Sequence, residues 1–390
     1  MENKAVKRVY YLDWLRVLGI LIVFVYHSSR FFNVEEWHVK NPIWYPWVEV
    51  WNRFATAWMM PLMFAISGAS LFYALGKGGN AGKFVKDKVL RLLVPLVVCV
   101  FTHATLQMYL ERLSHGQFSG TYFEYLPHYF SDDFAWHGMH LWYLLVLFLA
   151  SIILYPLLHW LMGRGRGALS TLGDLLARPG AVYALALPVI VLVVLFDFYS
   201  AVLTGNAGWA YIIYLWLLLA GFLVVSDERV QASVERLRWL SLPVGLILVG
   251  VSLYLLGMEA LPPFGTWRYA LGWGCRALGG WCCVLAMVGF GRKHLNFGTP
   301  FLTYANEAVL PFYILHQTVL LAVGYFVVQW DIPGVLRWVI ILVASFAIIM
   351  VLYEFVVRRF NVMRFLFGMK PRRKPAAGQA EAAAPAGQAG

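Results

Sequence analysis

The stretch YYLDWLRVLGILIVFVYHSSRFF, residues 10–32, governs how the rest of the chain is read. As a helix rising ~1.5 Å per residue it is long enough to cross ~30 Å of hydrocarbon, yet it carries Asp13, Arg16 and His27. His27 stands eleven positions after Arg16, and at ~100° per residue eleven steps end about 20° from a whole number of turns. Both side chains therefore project from one face, about 17 Å apart along the axis. Arg16 sits one turn inside the cytoplasmic boundary and His27 one turn inside the outer one. Ionisable groups at membrane depth normally face a bundle interior or a wet cavity, so this face predicts a polar path through the protein. The competing reading has Arg16 snorkelling to headgroups beside Asp13, with His27 an interfacial ring.

Working outward, the chain repeats the same kind of segment. It has 390 residues, of which 61% are hydrophobic and only 13% charged, about half the charged share of an ordinary soluble domain. The apolar residues come in blocks of membrane-spanning length, and these predict an all-α, polytopic protein of ten helices. The helices are expected near 11–31, 53–76, 90–110, 138–160, 181–198, 209–226, 240–257, 270–290, 302–328 and 335–357. With both termini in the cytoplasm, 23 of the 31 Lys and Arg fall in cytoplasmic segments and five in outer loops. That bias fixes the predicted orientation in a cell (inner) membrane. It also assigns the net charge of +11 to a membrane surface facing anionic lipid, which excludes a nucleic-acid partner.

The membrane domain is expected over 1–360. Residues 361–390 read as a basic and then Ala/Gly/Pro-rich disordered cytoplasmic tail. No cleavable signal peptide is apparent. Cys99, Cys275, Cys282 and Cys283 lie inside apolar blocks without ligand spacing, so neither a metal site nor a disulfide framework is expected.

Five motifs in order carry a resemblance. They are Arg16 and His27 in the first helix, MPLMFAISGASLFYAL at 60–75, KDKVLRLLVPL at 86–96, HLWYLLVLF at 140–148 and LTYANEAVLPFYILHQTVL at 302–320. Together, over residues 10–357, they resemble the membrane acyltransferase family three, and the last is similar to the form found in its periplasmic-glucan succinyltransferase branch. One departure is Lys88-x-x-Arg91, where the family often has Arg-x-x-Arg. Lysine keeps the charge but loses the planar fork that grips phosphate. The resemblance implies an O-acyltransferase moving an acetyl or succinyl group from cytoplasmic acyl-CoA, a donor substrate and not a bound cofactor, to a carbohydrate hydroxyl such as that of a periplasmic glucan. The alternative from another class is a glycan or lipid transporter or flippase that uses the same polar path.

Acyl transfer needs a base near the acceptor and a cationic site for the donor's phosphates. Lys83, Lys86, Lys88 and Arg91 supply such a cluster, which is equally read as a plain positive-inside loop. His27 is the candidate base, with a covalent acyl-histidine as the other option. Glu307 lies at about the depth of Arg16 and is expected as its ion partner. Pro311 removes an amide and frees the Glu307 carbonyl, which predicts that this helix lines the cavity. His316, on the same helix, is read first as a satisfied structural histidine and second as a substrate contact. Arg276 and His140 lie near the depth of His27, where a cation suits an anionic acyl group or an oxyanion, or else anchors a neighbouring helix. Outer-loop aromatics (Trp37, Trp44, Trp47, Tyr125, Tyr129 and others) read as an interfacial belt rather than a sugar platform.

Overall fold

The computed structural model describes residues 8–196, 211–257 and 260–372. It is all-helical over those residues. In chain order the helices are α1 (Tyr10–Ser29), α2 (Pro46–Leu75), α3 (Ala81–Phe101), α4 (His103–Ser114), α5 (Tyr122–Ser131), α6 (Trp142–Met162) and α7 (Arg166–Leu176). After them come α8 (Leu187–Leu195), α9 (Tyr211–Ser226), α10 (Glu228–Leu256), α11 (Trp267–His294), α12 (Pro300–Val327), α13 (Gly334–Val357) and α14 (Asn361–Leu366). Their starts are written in the sequence. Side chains of Asn80, Thr121, Asp227, Thr266 and Thr299 cap the amides that open α3, α5, α10, α11 and α12, and Pro46 and Pro300 occupy first-turn positions.

Seven helices among the described residues are long and apolar enough to cross a membrane: α1, α2, α6, α10, α11, α12 and α13. Two bent pairs bring the number to nine if each pair is one span. The predicted segment 90–110 is divided between α3 and α4, which meet at 41°. At that joint the Thr102 hydroxyl donates to the Val98 carbonyl at 2.7 Å, a side-chain bond of the kind that bends helices. The predicted segment 181–198 is a 3₁₀ turn at Ala181–Ala186 leading into the short α8, and α7 meets this unit at 113°. Residues 197–198 and 209–210 of the expected spans lie outside the described residues, and α9 as described has 16 residues.

Two helices start well before their apolar runs. α10 begins at Glu228 instead of near 240, because its polar first turns are held by the neighbouring helix. Arg292 of α11 pairs with Glu235 at 2.9 Å and also with Glu228, while Val230 and Val234 are buried. α2 begins at Pro46 instead of near 53, with buried Glu49 and Arg53 paired at 2.5 Å one turn apart.

Helix α2 is the central column. A Cβ added at Gly68 would fall 1.8 Å from the Leu218 carbonyl oxygen of α9, and one at Gly221 would fall 2.0 Å from that of Ala65. The α2 and α9 backbones therefore touch, the small-residue packing that helices use where hydrocarbon offers no hydrophobic drive.

The folded body continues past residue 360. In α14, Arg364 is 7% exposed and donates to Glu307 at 2.8 Å, and its Nε reaches the Lys370 carbonyl. Arg358 stands 3.7 Å from the same carboxylate. The expected boundary at 360 thus falls inside a docked segment, because a buried cation needs its partner. The expected disorder from 373 onward lies outside the described residues. The same geometry corrects the expected Glu307–Arg16 pair: sequence depth placed the two at one level, but Glu307 faces the C-terminal arginines.

Two outcomes are expected of variants in detergent. Gly221→Val should lower the thermal midpoint by the equivalent of at least the ~1–3 kcal/mol typical of overpacking, since the clash is with backbone. Glu307→Gln should lower the midpoint and admit protease near residue 366, because Arg364 is left buried without a carboxylate. A wild-type cleavage pattern would show that the pair does not dock α14.

Candidate active site

A cavity of about 1310 Å³ opens among α1, α2, α4, α6, α8, α9, α11 and α12, with the segments 35–38 and 132–140 at one end. Its wall on α1 runs from Ile20 through Val23 and Tyr26 to His27, and Arg30 follows just after the helix. Arg16 does not reach it and lies one turn beyond Ile20.

The two ionisable groups of α1 do share a face, since both meet α12. Arg16 donates to Asn306 of α12 at 3.0 Å, to Ser70 of α2 at 2.7 Å and to Asp13 at 3.0 Å. Ten residues along α12, His316 places its Nε2 3.2 Å from Nδ1 of His27. His27 Nδ1 also lies 3.0 Å from the Val23 carbonyl, and among the described residues its Nε2 has no protein partner. The Trp37 ring is stacked beside the His27 imidazole, centroids 6.3 Å apart.

Beyond His316 a buried polar chain crosses the wall. His140 Nε2 donates to the carbonyls of Tyr313 and Ile314, both at 3.2 Å, and its Nδ1 faces the Gln107 amide at 3.4 Å. Gln107 also donates to Thr318 at 2.8 Å and accepts from Gln317 at 3.1 Å. The Gln317 amide nitrogen lies 3.0 Å from Nε2 of His38, whose Nδ1 is paired with the Glu111 carboxylate. A carbonyl and a carboxylate can only accept, so each imidazole in this chain has a defined tautomer. Both nitrogens of His140 are engaged by the protein. It holds the wall in register and has no ring nitrogen left for a substrate.

The segment that carries Trp37 and His38 is tied down from several sides. Lys40 donates to the carbonyls of Arg30 at 2.9 Å, Asn33 at 2.5 Å and Glu35 at 2.9 Å. Burial, with Arg30 beside it, lowers its ammonium to about 8, so it stays charged at neutral pH. Arg30 itself is paired with Glu35. Across the cavity mouth, Arg112 grips Asp133 at 2.5 Å and lowers that carboxylate below its ordinary range.

Arg276 is the exception among the arginines of this wall. It donates to the Arg53 carbonyl at 3.0 Å and to the Thr56 hydroxyl at 2.7 Å, over the Trp273 ring, and has no carboxylate partner among the described residues. The basic run lies elsewhere. Lys83, Lys86 and Arg91 are exposed, while Lys88 is half-buried with its ammonium 5.4 Å from the Phe84 ring centroid. Backbone packing of Gly368 against the Arg91 carbonyl sets the C-terminal basic segment beside that run.

The structure therefore places His27, His140 and Arg276 on the wall of one cavity, sets buried His316 against His27, keeps Arg16 in a layer below, and holds Glu307 apart. Sequence reasoning missed His38, Glu111, Gln107 and Gln317 as members of the site. His38 and Glu111 are 73 positions apart, and no spacing rule links them. It also misplaced part of the aromatic belt. Trp37 lines the cavity, and Tyr125 and Tyr129 are buried, donating to Asp133 and to the Val100 carbonyl, whereas Trp44 and Trp47 are exposed as a belt requires.

Comparison with known proteins gives the family. A family model described as an acyltransferase domain, of the acyltransferase family three, matches residues 9–354. Relatives named glucans biosynthesis protein C from Salmonella paratyphi B and Salmonella heidelberg are 23% and 24% identical, with 95% of this chain and 97% of each relative aligned. No solved structure matches. With the family spanning nearly the whole helical body, including both α1 ionisable residues and α12, the chain belongs to acyltransferase family three and is a multi-pass membrane acyltransferase.

Proposed function

We propose that this enzyme is an O-acyltransferase that carries an acetyl or succinyl group from acyl-CoA on the cytoplasmic side to a carbohydrate hydroxyl on the other, with a periplasmic glucan as acceptor. The observation that carries the reading is the unpartnered Nε2 of His27 on the wall of a large cavity. In this reading the acceptor oxygen attacks the thioester carbonyl while its proton passes to that nitrogen. The carbon–sulfur bond then breaks, and the departing sulfur takes the proton from Nε2. A neutral imidazole suits both transfers near pH 7.

Arg276 favours succinyl over acetyl. A guanidinium with free N–H groups and no carboxylate of its own suits the distal carboxylate of a succinyl group. The acceptor follows the printed name of the relatives, glucans biosynthesis protein C, and the Trp37 and Trp136 rings at the cavity offer flat faces to a sugar. The charge bias supports ten spans with both termini cytoplasmic, in the inner membrane. That orientation puts Lys83, Lys86, Lys88 and Arg91 on the donor's side, where they would meet its phosphates. Arg16, bridging three helices between that face and the cavity floor, would stand where the donor's long arm enters.

Two measurements test this. His27→Ala should bind acyl-CoA normally yet lose transfer to a glucan by at least the ~10²-fold that acid–base catalysis contributes, read by mass spectrometry of the product. A variant still acylating at the wild-type rate would end the mechanism, and the mass added by the wild type identifies the acyl group. The paired change Lys88→Ala with Arg91→Ala should raise KM for acyl-CoA about tenfold or more with kcat retained, as expected for lost charge-assisted phosphate contacts. Unaltered donor kinetics would leave the run as a topology signal only.

A further inference from the structure

We infer that His316 is the positioning residue of the reaction: its Nε2 lone pair accepts the Nδ1 proton of His27, fixes the reactive tautomer and stabilises the imidazolium that forms there. This rests on the acyltransfer reading above and assigns a function to a second imidazole that the reading leaves unused.

The assignment follows from which atoms can donate. His316 Nδ1 lies 2.5 Å from the Tyr313 carbonyl oxygen, which only accepts, so the His316 proton is on Nδ1 and its Nε2 carries a lone pair. That lone pair is 3.2 Å from His27 Nδ1. The same His27 nitrogen is 3.0 Å from the Val23 carbonyl, a second pure acceptor. Both neighbours demand a proton on His27 Nδ1. The His27 lone pair is thereby forced onto Nε2, the nitrogen without a protein partner.

When Nε2 takes the acceptor's proton, His27 becomes a cation inside a bundle of apolar helices. Its Nδ1–H then points at a lone pair fixed by a rigid helix, and the positive charge is shared across the two rings. An aspartate does this work in serine hydrolases. A neutral imidazole achieves the orientation without placing a permanent carboxylate at membrane depth, where its desolvation cost would be large. The position is well enforced: His316 is 1% exposed, and the His140 ring lies edge-on with centroids 4.9 Å apart. Around the pair stand Arg30 on the segment after α1, His38 in the outer segment with Glu111 of α4 behind it, His140 before α6, and Tyr313 and Gln317 on α12 itself.

The test is steady-state transfer from acyl-CoA to a glucan acceptor by the purified full-length protein, as a function of pH. His316→Leu and the ring-sized His316→Phe remove the acceptor atom. Each should cut kcat by about 10²-fold or more, hold both KM values within about twofold, and move the acidic limb of kcat/KM to lower pH. His316→Gln returns an acceptor oxygen and should recover kcat to within about tenfold of wild type. A folded Leu or Phe variant with wild-type kcat overturns the inference, as does a Gln variant no better than they are, or a loss confined to KM. A wild-type protein that transfers nothing from acyl-CoA would instead overturn the acyltransfer reading on which the inference stands.

Discussion

A polar group inside hydrocarbon must find its partner within the protein, and in this chain that requirement welds the first helix to the rest. Arg16 and His27 both leave α1 toward α12, one bonded to Asn306 and the other to His316. Arg16 also reaches Ser70, so a single guanidinium ties three helices together. The cost of an unsatisfied cation or imidazole at this depth is several kcal/mol, more than any one apolar contact returns. The relative placement of α1, α2 and α12 is therefore set by polar satisfaction, and the apolar side chains fill what remains.

The same accounting bears on the proposed chemistry. Most polar groups around the cavity are fully engaged: His140 by two carbonyls and Gln107, His38 by Glu111 and Gln317, and Arg30 by Glu35. Among the described residues, Nε2 of His27 has no protein partner and the Arg276 guanidinium has no carboxylate partner. One is a lone pair and the other a cation without an anion. In the proposed reading, an acyl group with a terminal carboxylate, undergoing attack by a hydroxyl, meets that complement. Through Gln107 of α4, the same network joins His140, just before α6, to Thr318 and Gln317 of α12.

Close backbone contact supplies the second constraint. The α2 and α9 helices touch at Gly68 and Gly221, which brings the Thr56–Met63 stretch of α2 into one wall of the cavity. Departures from ideal helix occur away from this column. Five-residue π turns open at Val89–Leu93 in α3 and at Tyr353–Val357 near the end of α13. Both lie at the end of the bundle where the C-terminal helix docks.

The sequence alone settled that the protein is a membrane-embedded helical bundle, because long apolar blocks with few charges have one way to satisfy their backbone in hydrocarbon. It also placed Arg16 and His27 on one face of α1, because helical periodicity is a local property and both residues obey it. The family motifs lie on that same local level. The pairings belonged to the tertiary structure. Depth along a helix placed Glu307 beside Arg16, but depth says nothing about azimuth, and the carboxylate turned to Arg364 and Arg358 instead. Polar extensions such as the start of α10 were invisible to an apolar count because a neighbouring helix supplies their partners. His316 looked like a satisfied core histidine until the fold brought its lone pair to His27, 289 residues away, and the Glu111–His38 pair has no trace in spacing at all. Hydrogen-bond partnership between helices depends on how they are rotated about their axes, and that rotation is fixed only when all of them pack together.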